Sequence, residues 1–168
     1  MRSLVSDLVR YVVLRVREEG GNLGKTKLVK LLYLIDVEHY RHYRKTLTGW
    51  KWRFHHYGPY AFEMEPLLKN LADLDEDEVT TTCGYRARTY SSSANLNDLE
   101  DKIDYGTRSL VDRVIKKWAL DDLYSILDYV YFDTEPMQGA RRGEVLDLDR
   151  IPPAQRALPS RPRPVLPK

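Results

Sequence analysis

Residues 25–42 constrain the fold more than any other stretch of this chain. In helical register Leu28, Leu31, Leu32, Ile35 and His39 form one stripe, and Val29, Tyr33 and Val37 widen it. So little polar circumference remains that such a helix belongs at the centre of a domain. Lys30 and Asp36 interrupt the stripe. They are expected at the edges of the buried zone, or facing a partner.

The rest of the chain reads as shorter elements around that helix. Leu4, Leu8, Tyr11 and Val12 give a first helix over residues 3–19, stopped by Gly20-Gly21-Asn22. Trp50, Trp52 and Phe54 alternate with Lys51, Arg53 and His55, which is the period of a half-buried strand. Gly58-Pro59 is expected to turn the chain into a further helix carrying Tyr60, Met64, Leu67, Leu68 and Leu71, kinked near Pro66. Asp73 to Glu78 reads as an acidic connector, and Val79 to Tyr90 as a hairpin around Gly84. Helical spacing returns from Ile103 to Trp118, and again from Leu120 to Tyr131. The fold class is therefore mainly α with a minor β part: a compact bundle of about five helices with a small hairpin or short sheet. Helices flanking a hairpin leave a winged-helix arrangement open.

Two domains of unequal kind are expected, a helical body at 1–138 and a flexible tail at 139–168. Six of the nine prolines lie between Pro152 and Pro167, which rules out a helix there. The tail is also basic, leaving the body close to neutral, and a neutral body is a poor footprint for nucleic acid. No apolar run approaches the ~20 residues of a membrane span, and Asp7 interrupts the N-terminus before a signal sequence forms. Cytoplasmic localisation without membrane association is expected. The single cysteine, Cys83, makes neither an internal disulfide nor a cysteine-based zinc site, and its flanks suggest a half-buried strand end.

Catalytic patterns are weak. Gly24-Lys25-Thr26 ends like a phosphate-binding loop, but Glu19 stands where its first glycine belongs and the feeding segment reads as helix. His39 and His42 share a helix face without the His-Glu-x-x-His spacing of zinc proteases, and ordinary structural roles are the better reading. No Gly-x-Ser-x-Gly elbow is present. The sequence implies no catalytic set, no cofactor and no metal. The dense aromatic and basic segment from Trp50 to Tyr60 has instead the composition of an interaction hot spot.

The run Lys27-Leu28-Val29-Lys30-Leu31-Leu32-Tyr33 resembles the signature helix of the Panacea (SocA-like) antitoxin family. That family shows an aromatic or basic strand ending in Gly-Pro about twenty residues later, matched by Phe54-His55-His56-Tyr57-Gly58-Pro59, and a Leu-rich C-terminal helix, matched from Leu120 to Leu127. The resemblance covers roughly residues 5–138. Members often carry a His on the last helix and a Trp just past it, where this chain has Asp128 or Tyr129 and Met137.

The resemblance implies a bacterial or phage protein that neutralises a toxin without catalysis. The implied partner is a cognate protein toxin encoded next door. In the SocA case a ClpXP-type protease receives the toxin. Self-association as a homo-oligomer is left open. The expected partner surface comprises Lys30, Tyr33, Trp50, Lys51, Arg53, His55, Tyr57 and Tyr60. The alternative is a DNA- or RNA-binding transcriptional regulator using Arg86, Arg88 and the basic tail.

Overall fold

The computed structural model describes residues 4–80 and 83–155. It is mainly helical: α1 (Leu4–Glu18), α2 (Lys25–Tyr43), α3 (Met64–Asn70), α4 (Leu96–Lys102), α5 (Tyr105–Trp118) and α6 (Leu123–Asp133). Two antiparallel hairpins accompany them, β1 (Arg53–His55) with β2 (Gly58–Tyr60), and β3 (Leu74–Thr80) with β4 (Arg86–Ser92). None of these helices is long and apolar enough to cross a membrane.

Helix α2 is the centre that its sequence demands. Leu28 through Val37 are all buried, and the helix packs against α1, α5, α6 and β2. Its N-terminus follows a turn in which Gly21 passes within contact of α5. A Cβ on Gly21 would lie 2.3 Å from the Ala119 carbonyl oxygen, so no side chain fits. The segment that resembled a phosphate loop is thus a helix–helix turn, fed by α1. Helix α2 ends at Arg44, in the left-handed region at φ 55°. There the guanidinium stacks over Tyr40 and donates to the Ile151 carbonyl at 2.6 Å.

Several expectations are corrected. Gly58-Pro59 does not begin a helix; it forms strand β2, directly opposite His55 and Phe54. Gly58 has φ 93°, and a Cβ there would touch the Tyr131 ring at 3.4 Å, so glycine suits the position twice over. Helix α3 starts only at Met64, which puts Pro66 in its first turn, where a missing N–H costs no hydrogen bond. The acidic connector is strand β3. Its Asp75, Glu76, Asp77 and Glu78 face solvent on a two-stranded ladder, while Leu74 and Tyr90 contact the core. Helix α4 is an element that hydrophobic spacing does not mark; Asn95 caps it by accepting from the Asp98 N–H. Cys83 is exposed.

The chain after α6 does not leave the body at residue 139. Phe54 N–H donates to Glu144 O, Gly143 N–H to Phe54 O and Leu146 N–H to Trp52 O, so residues 143–146 run alongside β1. Leu146 and Ile151 are buried, and Ala154 N–H reaches Arg41 O. Burial of Leu146 and Ile151, with Leu148 packed against the core, supplies the reason. The proline-rich residues 156–168 lie outside the described residues.

Candidate functional site

The hub beneath the aromatic segment is Asp36. It is wholly buried, and its carboxylate accepts from Leu47 N–H (2.9 Å), Thr48 N–H (3.0 Å), the Thr48 hydroxyl (2.5 Å) and the Trp52 indole N–H (2.8 Å). Burial pushes the carboxyl pKa up while these four donors pull it down. Trp52 is thereby pinned in the core, edge-on to Tyr33 at 5.4 Å. Asp36 faces neither solvent nor a partner; it fixes where β1 begins.

The β1–β2 hairpin then folds over α2 and α3. Between them lies a cleft of about 420 Å³. Lys30 lines it from α2, Glu65 from α3, and His55, Tyr57 and Tyr60 from the hairpin, with Phe62 just beyond. His55, Tyr60 and Phe62 form a mutual aromatic cluster with centroids 5.5–5.6 Å apart. Tyr57 is 68% exposed and Phe62 53%. At one end, Lys25 forms an ion pair with Glu65, which also accepts from the Tyr60 hydroxyl at 2.7 Å. The Lys25 contact, more than any other, holds the Glu65 carboxyl below the usual range. Burial, reinforced by Glu65, raises the Tyr60 phenol.

Lys30 is the unusual group. It is 2% exposed, and its ammonium donates to the Pro59 carbonyl at 2.8 Å. No described carboxylate forms an ion pair with it. Burial lowers its pKa to about 8 from an ordinary 10.5. This gap has a signed consequence for stability. Below pH 8 Lys30 is charged in both folded and unfolded chains, and its burial costs the fold in full. Between pH 8 and 10.5 the unfolded chain binds more protons, so stability rises with pH there. A denaturation series from pH 8 to 10 is expected to show the wild type gaining roughly 2 kcal/mol relative to Lys30→Met. The raised phenols of Tyr33 and Tyr60 oppose this near pH 10, but they are common to both proteins and cancel in the difference. Parallel curves for the two proteins would refute a desolvated Lys30.

The residues expected on one partner surface separate into groups. Lys30, His55, Tyr57 and Tyr60 meet at the cleft. Trp50 and Lys51 line a second, shallower groove beside Tyr40 and residues 145–149. Arg53 stands opposite Tyr60 in the hairpin and bridges Val145 on its other edge. Tyr33 is a correction: it is fully buried, hydrogen-bonded to Thr134 at 3.0 Å, and belongs to the core. The cleft residues Lys25, Phe62 and Glu65 were not anticipated. The sequence signal for Phe62 is an aromatic two positions beyond Tyr60.

Other chemistry finds ordinary explanations. His39 bonds the Lys45 carbonyl at 2.6 Å. Among the described residues no three His, Cys, Asp or Glu side chains converge to hold a metal ion. On the β3–β4 hairpin Arg88, in β4, stands opposite Glu78 and 3.9 Å from Glu76, beside the four exposed acids of β3. Phosphate would be repelled there. At the C-terminal corner, where the expected family His and Trp are missing, Tyr129 packs on Trp118 at 4.8 Å with Lys117 over its ring.

No curated protein and no solved structure matches this chain. A family model does: the antitoxin SocA-like, Panacea domain, over residues 28–138, which runs from the core of α2 through the cleft and the hairpins to the end of α6. With well over half of its length matched, the chain belongs to the SocA-like Panacea antitoxin family.

Proposed function

We propose that this protein acts as an antitoxin by binding a cognate protein toxin directly, with the mouth of the Lys30 cleft as its contact surface. One observation carries the placement. Tyr57 and Phe62 stand exposed, Phe62 packed on His55 and Tyr60, around a cleft whose floor holds a buried ammonium. Large rings beside a desolvated charge are the makings of a binding hot spot, because they bury area at little entropic cost. Binding, not catalysis, is the activity this geometry supports, and the cytosol is where it would operate. Delivery of the bound toxin to a ClpXP-type protease is a second step compatible with the same surface. The acids of β3 count against the nucleic-acid reading.

The test is co-expression with the product of the adjacent gene. Growth arrest by the neighbour alone, relieved by this chain, is the expected result. A harmless neighbour, or one that stays toxic beside this protein, refutes the proposal. Toxin levels in hosts with and without the protease separate occlusion, which leaves them unchanged, from delivery, which lowers them.

A further inference from the structure

We propose that the cleft over Lys30 is a seat for one acidic side chain of the partner protein, with the Lys30 ammonium as its counter-ion. The inference rests on the partner-binding reading above and names the chemistry that the cleft selects.

The argument begins with charge. Three ionised groups line the cleft, Lys25, Lys30 and Glu65. Lys25 and Glu65 pair with each other, so one positive charge is left over, on Lys30. An ammonium has three N–H donors. The Pro59 carbonyl takes one, at 2.8 Å, in the buried floor. A buried charge without a counter-ion is costly to a fold, and an arriving carboxylate relieves that cost while satisfying the remaining donors. One carboxylate balances the site. A phosphate dianion would bring a second negative charge beside Glu65.

The walls suit the remainder of such a side chain. His55, Tyr60 and Phe62 present ring faces and edges to the cleft, and these pack against methylene groups. An acidic side chain is favoured over a chain's C-terminal carboxylate for a stated reason. Protein sites for chain ends present nests of backbone N–H donors. Here the backbone group meeting Lys30 is a carbonyl acceptor. Binding should also respond to pH. The groups around the seat are Lys25 on α2, Glu65 on α3, and His55, His56, Tyr57 and Tyr60 on the hairpin. Since burial lowers Lys30 to about 8, affinity should fall above that pH as the ammonium loses its proton.

The experiment is an amide NMR titration of the full chain at neutral pH with three probes: N-acetylglutamate amide, its glutamine counterpart and inorganic phosphate. The expected result is saturable shifts at residues 57–62 with the glutamate probe alone, lost in Lys30→Met. Lys30→Gln keeps a donor for Pro59 O and removes only the charge; it should lose the shifts equally, and serves if the methionine variant does not fold. No shifts with glutamate, equal shifts with glutamine or phosphate, or shifts that survive in the Lys30 variants would overturn the assignment. With the toxin in hand, Lys30→Gln should bind it about ten-fold or more weakly than wild type. Equal binding overturns the seat. A toxin that never binds, beside a glutamate probe that does, removes the antitoxin reading and leaves the seat standing.

Discussion

Asp36→Ala is expected to remove about 4 kcal/mol of folding stability, read as a lower midpoint in urea or guanidinium denaturation. Four donors converge on that carboxylate, from two backbone N–H groups, one hydroxyl and one indole. Alanine leaves them facing an apolar gap. Each orphaned buried donor costs about 1–3 kcal/mol. The sum is not additive, because the Thr48 hydroxyl also accepts from Trp50 N–H and can hold its place. Even the lower total is a large share of the 5–15 kcal/mol typical of a whole domain. Asp36→Asn separates charge from geometry. One amide oxygen still accepts from the Leu47 and Thr48 N–H groups, while the amide nitrogen meets the Trp52 N–H, donor against donor. The asparagine variant should therefore be intermediate. Near-ultraviolet circular dichroism should report the loosened Trp52 in both. A loss below about 1 kcal/mol for alanine would show that the four bonds do not act together.

The residues that dominate this stability were visible in the sequence, though their roles were not. Period alone identified α2, because an almost wholly apolar helix has few places to go in a domain of this size. Asp36 and Lys30 looked alike as polar interruptions of one stripe. The structure separates them by what each meets. Asp36 finds four donors from the chain that follows it, and Lys30 finds one carbonyl. Neither outcome follows from spacing, since the partners lie 11 to 29 residues away and depend on the path of the intervening loop.

The β elements were harder to read, for a different physical reason. Strand β3 carries four exposed acids in seven residues, a composition that elsewhere marks a solvated connector. It forms a strand because its ladder with β4 satisfies the backbone, and because Leu74 and Tyr90 anchor the hairpin on the core. Gly58-Pro59 was legible as a turn, but the turn is His56-Tyr57, one pair earlier. That shift is what places Pro59 O over Lys30, and with it the floor of the cleft. The tail illustrates the same limit. Proline density marks where a helix cannot form, but it says nothing of Leu146, which settles beside β1, or of Ile151, which is buried near the end of α2, before the prolines accumulate.

Paired removal of Tyr57 and Phe62 is expected to weaken toxin binding by about 100- to 1,000-fold, or roughly 3–4 kcal/mol, while leaving the thermal midpoint nearly unchanged. The two rings qualify because they are large, exposed and supported from below. Tyr57 occupies the tip of a hairpin held by the edge-on packing of Phe54 against Tyr131, and Phe62 leans on His55 and Tyr60. Their truncation removes little that the free protein buries, so stability should change by less than about 1 kcal/mol. Tyr124→Ala is the control. Its ring is 81% exposed on α6, outside the cleft, and should leave binding intact. Trp50→Ala and Lys51→Ala test the second groove, on the opposite side of the same aromatic segment. Isothermal titration of the five proteins against the toxin decides between the surfaces. If the Trp50 and Lys51 variants lose affinity and the Tyr57/Phe62 variant does not, the toxin sits against residues 145–149, and the Lys30 cleft is not the contact. If binding collapses only when the rings at the cleft mouth are gone, the alternation of the Trp50–Tyr60 segment acquires its physical meaning: Trp52 holds the strand in the core so that the hairpin can present Tyr57 to a partner.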